Sequence, residues 1–260
     1  MGARLFDRDT RRVVLTEAGL AFEVHAADIL SRIDDAEAAI SAFASEPNGL
    51  LRLALPNVFG QLQIAPLLPA FLARYPQLRL ELGFSDGFVD LTFGRFDAAI
   101  RIGALETQGD LIVRKLATVR RVICASPSYL ARRSAPIVPR DLERHRILHF
   151  ASLLTGRNWR LRGPHGTVEV PIDPIMTADN IVALHHAALA GEGIAILGEF
   201  VAEDDLTAGR LVPVFEHYHA DDSAAFIAYP NARHIPRKVR VLVDFLVHEF
   251  SQHAQREEPA

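Results

Sequence analysis

From residue 49 onward, short apolar runs alternate with amphipathic stretches of helical period, and this alternation restricts the fold more than any other feature of the chain. The apolar runs predict strands at 50–56, 78–84, 96–103, 120–126, 194–197 and 225–230. The amphipathic stretches predict helices at 63–76, 180–193 and 237–250, with helix into strand at 141–150 and a hairpin at 158–172 that turns between Gly163 and Gly166. Such alternation is typical of an α/β fold with mostly parallel sheets and helices on both faces. The region 49–260 is long enough for two lobes, which we predict at about 49–122 with 226–250 and at about 123–225.

Before this region, apolar residues recur at alternating steps of four and three. They are Phe22, Ala26, Ile29, Ile33, Ala36, Ile40 and Phe43. A strict period of 3.5 residues is typical of a coiled-coil seam. Thr16 precedes the seam as a helix N-cap, and Pro47 to Gly49 follow it as a helix stop and hinge. We predict a linker helix and hinge over 16–48 that pairs with a second copy, while packing on the core of its own domain is the alternative.

Basic residues are concentrated near the N-terminus. Four arginines stand against two acidic residues between Arg4 and Arg12, although the whole chain carries a net charge of −4. The protein as a whole is therefore not a polycation, and the basic stretch suggests a local anionic partner. The single cysteine, Cys124, excludes an intramolecular disulfide and predicts a buried small apolar residue. No signal peptide pattern or membrane-length apolar run occurs, which predicts a cytoplasmic protein without a membrane partner.

Several motifs occur in a fixed order along the chain. They are "GARLFDR", "LTEAG", "LRLALPNVFGQLQIAPLLPAFLARYP", "VDLTFGRFDAAIRIGAL", "ASPSYLA", "LAGEGIAIL" and "GRLVPVF". In this order and at these spacings, the chain resembles the LysR-type transcriptional regulators along essentially its whole length. The resemblance implies a winged helix-turn-helix DNA-binding domain, a dimerising linker helix, and a two-lobed effector domain with a periplasmic-binding-protein-like fold. It also implies an effector in the cleft between the lobes, a homodimer or homotetramer, and no cofactor.

Residues 1–15 match only the wing of that DNA-binding domain, because in the family the recognition helix precedes the matched motif. Leu5 and Phe6 would anchor this wing remnant. The residues expected to contact DNA phosphates are Arg4, Arg8, Arg11 and Arg12. Phosphate contacts position a protein on DNA without reading bases, so we expect weak, salt-sensitive DNA binding from these residues alone. Both a start codon assigned too late and a truncated paralogue would explain the missing helix.

The effector is expected where strands end and helices begin, because backbone N–H groups and helix dipoles converge there on anions. In lobe I the candidates are Asn57, Val58, Phe59, Gly60, Arg101 and Gly103. In lobe II the candidates are Ser126, Thr177 and Asn180. Relatives often carry a small hydroxyl residue where this chain has Val58, so Asn57 or backbone amides would meet the ligand instead. The resemblance and this geometry together predict a small organic anion.

Structural roles would explain some of the same residues. Helix capping accounts for Thr177 and Asn180. An ion pair within lobe I, to Asp97 or Asp86, accounts for Arg101.

Little in the chain predicts catalysis. Neither a G-x-S-x-G elbow nor a phosphate-binding glycine loop occurs. His217 and His219 could share a strand face near two aspartates, but a solvated surface explains them better than a metal site. We therefore predict no enzyme and no metal. The remaining alternatives are a solute-binding protein of the same two-lobed fold, and a short chain that dimerises with a full-length relative and blocks its DNA binding.

Overall fold

The computed structural model describes residues 3–9, 12–23, 25–26, 29, 46–87, 91, 95–103, 110–153, 156–231 and 235–257. The chain divides into two compact units. Unit 1 comprises Met1–Pro56, Leu67–Leu116 and Phe226–Ala260, and unit 2 comprises Asn57–Pro66 and Ala117–Ala225. These bounds differ from the predicted lobes mainly at 57–66, which follows a strand of unit 1 but packs with unit 2.

The N-terminal stretch of unit 1 is a hairpin followed by a helix. The hairpin consists of two antiparallel strands, β1 (Phe6–Asp9) and β2 (Arg12–Leu15). Helix α1 includes residues 17–23. The Thr16 side-chain oxygen accepts a hydrogen bond from the backbone N–H of Gly19 at 3.0 Å, which confirms the predicted N-cap. The same hydroxyl donates to the carbonyl oxygen of Arg4 at 2.6 Å, so one side chain joins the hairpin to the helix.

Unit 1 is built on a five-stranded sheet with the spatial order β4-β3-β5-β15-β6. Its strands are β3 (Gly49–Leu55), β4 (Leu78–Phe84), β5 (Ala98–Ile102), β6 (Leu111–Val119) and β15 (Ser223–Pro230). Strand β3 is parallel to both β4 and β5, and it buries Leu51, Leu53 and Leu55 completely. A strand covered on both faces is mostly apolar, as β3 is apart from Arg52, which explains why its sequence predicts a strand.

Two helices of unit 1 pack against each other through aromatic rings. They are α3 (Leu68–Arg74) and α7 (Arg237–Glu257). The ring centroids of Phe71 and Phe245 lie 5.3 Å apart. At the start of α7, Lys238 donates to the carbonyl oxygen of Leu50 at 2.7 Å and lies 2.8 Å from the carboxylate of Asp97. This lysine therefore ties α7 to β3 and to the residue before β5.

The segment between β3 and α3 is less regular than the single amphipathic helix predicted for 63–76. It consists of α2 (Asn57–Phe59), a π-helical turn (Gly60–Ile64) and a 3-10 turn (Ala65–Leu67). Pro66 has no backbone N–H to donate, so the regular i to i−4 hydrogen-bond ladder cannot run unbroken through this segment. The apolar pattern alone does not predict such a change of helix type.

Unit 2 contains a second five-stranded sheet, with the order β11-β8-β12-β7-β13. Its strands are β7 (Arg121–Ala125), β8 (Ile147–Phe150), β11 (Pro174–Ala178), β12 (Ile194–Gly198) and β13 (Val212–Pro213). Its helices are α4 (Pro127–Arg133), a 3-10 helix (Pro139–Arg144), α5 (Ile181–Leu189) and α6 (Glu199–Thr207). Strand β8 is parallel to β11 and β12, whereas β7 is antiparallel to β12 and β13. The α/β prediction is confirmed, with a mixed rather than purely parallel sheet in this unit.

A small three-stranded antiparallel sheet completes unit 2. It comprises β9 (Asn158–Gly163), β10 (Gly166–Pro171) and β14 (His219–Ala220). The predicted hairpin with its turn at Gly163 to Gly166 is confirmed. Trp159 is fully buried under this sheet and donates its indole N–H to Nδ1 of His149 at 3.4 Å. Burial lowers the pKa of His149, and Arg157 lowers it further, so this imidazole is held neutral in the core.

The division between the units falls within two strands. One is β6, at Leu116, and the other is β15, at Phe226. Strand β7, by contrast, lies wholly in unit 2. Strand β6 escaped prediction because Arg114 and Lys115 interrupt its apolar pattern.

A buried polar network links α5 to α6 in unit 2. Oδ2 of Asp205 lies 2.6 Å from Nε2 of His185, and Oδ1 accepts a hydrogen bond from Nε of Arg210. Burial alone would raise the pKa of Asp205, but the hydrogen bonds from Arg210 and His185 outweigh it and lower the pKa below its ordinary value. The predicted burial of Cys124 is confirmed in the same core, where burial and then the Asp205 charge raise the pKa of the thiol to about 12.

Among the described residues, no helix is long and apolar enough to cross a membrane.

Candidate effector site

Arg101 lies near the carboxyl end of β5, at the edge where the parallel strands β3, β4 and β5 all end. Its Nη1 donates to the carbonyl oxygen of Ser85 at 2.8 Å. Ser85 follows β4 directly, and its backbone N–H bonds the carbonyl oxygen of Leu55 at 2.9 Å. The guanidinium is thereby held across the end of β3. Gly103 follows β5 with φ of +98°, a conformation that side-chain-bearing residues rarely adopt.

The second terminal nitrogen of this guanidinium has no hydrogen-bond partner among the described residues. Within the described part of the chain, Nη2 of Arg101 is the single side-chain nitrogen or oxygen that is fully buried without a hydrogen bond. Burial lowers the pKa of Arg101, and the carboxylate of Asp86 opposes that shift without cancelling it. The other carboxylate considered from the sequence, Asp97, is bonded to Lys238 instead. A buried donor without an acceptor costs stability, so native proteins usually satisfy such a group with a side chain, water or ligand.

The four candidates after β3 are placed in unit 2 rather than with Arg101. Asn57, Val58 and Phe59 form α2, and Gly60 begins the π-helical turn. Phe59 is buried, and its ring meets that of Phe200 in α6 edge-on with centroids 5.3 Å apart. Gly198, just before α6, has no room for a side chain, because an added Cβ would lie 2.4 Å from the Phe200 ring. Their contribution to effector binding stays a prediction.

The remaining unit 2 candidates lie at helix starts or in a strand. Asn180 is the N-cap of α5, since its side-chain oxygen accepts from the N–H of Val182 at 2.9 Å. Thr177 lies inside β11, so the alternative that it caps the helix is wrong: the strand continues to Ala178 before the helix begins. Ser126 is buried and caps α4, with its hydroxyl oxygen 3.3 Å from the donating N–H of Tyr129.

Of the four arginines predicted to contact DNA phosphates, the structure describes three. Arg4 is exposed before the hairpin, Arg8 lies in β1, and Arg12 begins β2. Arg8 and Arg12 occupy neighbouring register positions at the turn end of the hairpin, and Arg11 lies outside the described residues.

The structure also describes part of the predicted dimerisation seam. Phe22, Ala26 and Ile29 are helical. Phe22 and Ile29 are exposed, with 58% of Ile29 accessible to solvent, and Ala26 is half-buried. The other seam residues, Ile33, Ala36, Ile40 and Phe43, lie outside the described residues. The described end of the seam thus presents apolar side chains that its own unit does not cover.

Of the two aspartates near His219, Asp221 forms ion pairs and Asp222 accepts a backbone hydrogen bond. Oδ2 of Asp221 lies 2.6 Å from Arg160, and Oδ1 lies 3.0 Å from Arg162. The backbone N–H of Arg121 donates to Asp222 at 3.3 Å. Over the residues that the structure describes, no group of three potential ligands could hold a metal ion.

Sequence reasoning missed two features of these sites. Ser85 orients Arg101 through a carbonyl oxygen, which any residue would provide, so only its position after β4 could have indicated the contact. The His185–Asp205 pair is separated by 20 residues, and nothing in the local sequence indicates it.

The chain is similar to known transcription regulators over nearly its whole length. The family described as "LysR substrate binding domain" matches residues 44–251. An HTH-type transcriptional regulator of Xanthomonas campestris pv. campestris is 36% identical over 251 residues, which are 95% of this chain and 73% of that protein. The HTH-type transcriptional regulator CrgA of Neisseria meningitidis serogroup C is 34% identical over 253 residues, covering 96% of this chain and 83% of CrgA.

Solved structures give the same result. The structure of CrgA from Neisseria meningitidis, described as a LysR-type transcriptional regulator, has a TM-score of 0.70 at 31% identity and covers 96% of this chain and 84% of that one. The full-length structure of AphB, the Vibrio cholerae virulence activator, has a TM-score of 0.74 at 27% identity and covers 94% of this chain and 83% of that one. Both the helix-turn-helix relatives and the solved structures are regulators rather than enzymes.

Proposed function

Since this chain belongs to the LysR family of transcriptional regulators, we propose that its effector is a small organic anion that Arg101 binds. The family binds small-molecule effectors, oligomerises and acts on DNA. The observation that carries the proposal is the buried Nη2 of Arg101, which has no acceptor among the described residues. A carboxylate is a favourable acceptor, because a hydrogen bond between a charged guanidinium and a charged oxygen is stronger than one between neutral groups.

The surroundings of Arg101 restrict the charge of the ligand. The carbonyl oxygen of Ser85 accepts a hydrogen bond from Nη1 and fixes the orientation of the guanidinium. In this orientation Nη2 would donate to the ligand. Asp86 adds a negative charge that acts on the same guanidinium. A second or third carboxylate on the ligand would be repelled by Asp86, so the site favours monocarboxylates over dicarboxylates and tricarboxylates.

The experiment is a panel of mono-, di- and tricarboxylic acids tested by thermal shift and then by isothermal titration calorimetry. We expect at least one monocarboxylate to stabilise the wild type, and Arg101→Ala to weaken its binding by about 10- to 100-fold, because a charge-assisted hydrogen bond is lost. Arg74→Ala is the matched control, since Arg74 is an exposed arginine at the end of α3. If no acid binds, or if Arg101→Ala binds as well as Arg74→Ala, the assignment of Arg101 is wrong.

Dimerisation and DNA contact belong to the same proposal. The exposed Phe22 and Ile29 support a seam that pairs with a second copy into a homodimer or homotetramer, and light scattering on the full chain measures the assembly. The arginines of the N-terminal hairpin would hold DNA phosphates, which implies a cytoplasmic site of action close to the chromosome. Arg4, Arg8 and Arg12 lie on or beside two antiparallel strands, as a wing requires.

A further inference from the structure

An exposed apolar pair lies in unit 2 between α4 and the 3-10 helix Pro139–Arg144. Ile137 is 83% exposed and is the most exposed large apolar residue among those described, and its neighbour Val138 is also exposed. Isolated apolar residues on a surface are common and need no explanation. What distinguishes this pair is how the backbone holds it and which charges surround it.

The backbone of the pair is fixed from both sides. Oδ2 of Asp141 accepts hydrogen bonds from the N–H groups of Ile137 at 2.9 Å and Val138 at 3.0 Å. These two bonds lower the pKa of Asp141, so the carboxylate stays charged and keeps both contacts at neutral pH. The prolines on either side of the pair, Pro136 and Pro139, are buried and have restricted backbones. The apolar side chains are therefore held outward before any partner arrives.

The chain also enters this turn through a strained residue. Ser134, directly after α4, has φ of 58° and ψ of 149°, and it is the only described residue other than glycine with a positive φ. Such a conformation persists only when the surroundings enforce it, and it is found most often at functional sites. Strain at an exposed surface turn is unexpected if the turn merely connects two helices.

Arginines are frequent in the sequence around the pair. Between 132 and 146 the chain carries five arginines against Asp141 and Glu143. Arg132 donates to the carbonyl oxygen of Gly191, and Arg146 is paired with Glu192. Asp141 is engaged by backbone N–H groups, and Glu143 lies 3.9 Å from Arg140. The side chains of Arg133 and Arg144 are exposed and make no hydrogen bond or ion pair with another described residue. The surface is thus an apolar centre with a basic rim.

We propose that this surface, residues 134–144 with Arg133, is a docking site for an acidic segment of another protein that carries an apolar side chain. Interfaces between proteins combine an apolar anchor at the centre with charged residues at the rim, and rigid anchors lose little entropy on binding. DNA phosphates would also bind the arginines, but a charged phosphate gains no binding energy from contact with an apolar isoleucine side chain. The proposed contact is additional to effector binding and to pairing through the dimerisation seam.

The test uses the full chain and a phage-displayed library of random dodecapeptides. Peptides are selected on the wild type after depletion on Ile137→Asp, and the enriched peptides are synthesised and measured by fluorescence anisotropy. We expect them to carry several Asp or Glu residues around a Leu, Ile or Phe. Ile137→Asp should weaken their binding at least about tenfold, as expected for loss of an anchor residue. The double variant Arg133→Glu/Arg144→Glu should weaken it similarly, and added salt should weaken wild-type binding.

Two variants serve as controls. Ile175→Asp changes another exposed isoleucine of unit 2, in β11, and Arg74→Glu/Arg79→Glu makes the same change of net charge in unit 1. Both should bind the peptides like the wild type. The proposal is overturned if the selected peptides lack an acidic bias, or if the controls weaken binding as much as Ile137→Asp. It is also overturned if Ile137→Asp abolishes binding of a short duplex DNA, or dissociates the oligomer, because the surface would then serve DNA or a second copy.

Discussion

Replacing Asp205 with alanine should destabilise unit 2, because its carboxylate bonds two donors from different parts of that unit. His185 is largely buried, with 13% of its side chain exposed, and a hydrogen bond from such a group to a carboxylate is worth about 1.5–3 kcal/mol. Arg210 is 59% exposed, so solvent screening limits its contact to at most about 1 kcal/mol. We therefore expect a loss of about 2–4 kcal/mol in the free energy of unfolding.

The assay is urea unfolding followed by tryptophan fluorescence. Trp159 is the single tryptophan of the chain and is fully buried in unit 2, so its emission reports the unit that contains the network. Free energies follow from linear extrapolation to zero urea. Asp204→Ala is the matched control, since Asp204 is the preceding residue of α6 and is exposed. Its effect should stay within about 0.5 kcal/mol, as for most surface substitutions.

The difference between wild type and Asp205→Ala should depend on pH in one direction. The folded-state pKa of Asp205 is lowered, so the charged carboxylate stabilises the native state above the unfolded pKa of about 3.9. That stability is lost as the pH falls through the folded-state pKa. The difference should persist at pH 5 and narrow below about pH 4. A difference no larger than that of Asp204→Ala, or one that widens on acidification, would refute the reasoning.

Two further predictions concern single side chains. Burial and then the Asp205 charge raise the pKa of Cys124 from 9.0 to about 12. A thiol reagent at pH 8 should therefore label native protein at least about a thousandfold more slowly than unfolded protein. Rapid labelling without unfolding would contradict this. Lys238→Met removes a hydrogen bond to the Leu50 carbonyl oxygen and the ion pair with Asp97, so urea unfolding followed by circular dichroism should show a loss of about 2–3 kcal/mol. A loss below about 0.5 kcal/mol would show that these two contacts of Lys238 do not stabilise unit 1.

The strands that could be predicted are those whose burial follows directly from their residues. Strand β3 is apolar except for Arg52 because both of its faces are covered, and the hairpin of β9 and β10 is marked by glycines at its turn. Strand β6 lacks such a run because its exposed middle carries Arg114 and Lys115. The π-helical turn at 60–64 follows from tertiary packing and proline positions, which no apolar period encodes.

The sequence predicts the position of Arg101 better than it predicts the groups that Arg101 contacts. Arg101 was expected at the end of its strand, because parallel strands bring their carboxyl ends to one edge. Its contact with the Ser85 carbonyl depends on the backbone, so residue type gives no indication of it. Asp205 stands among acidic neighbours in "AEDDLT", which predicts an exposed helix face, yet it is buried because its helix turns this residue toward His185. Predictions of buried polar pairs require the packing of helices, which one sequence does not supply.

The strand order of unit 1 has a consequence for synthesis on the ribosome. Among the described strands, β6 lies at the edge of its sheet and pairs with β15 alone, more than a hundred residues later in the chain. All of unit 2 has been made by Ala225, whereas unit 1 still lacks β15 and α7 at that point. Domains generally fold as units while the chain emerges, and an unpaired strand edge invites aggregation until its partner arrives. Unit 2 is thus completed before unit 1, and β6 stays without this sheet neighbour until β15 has been added.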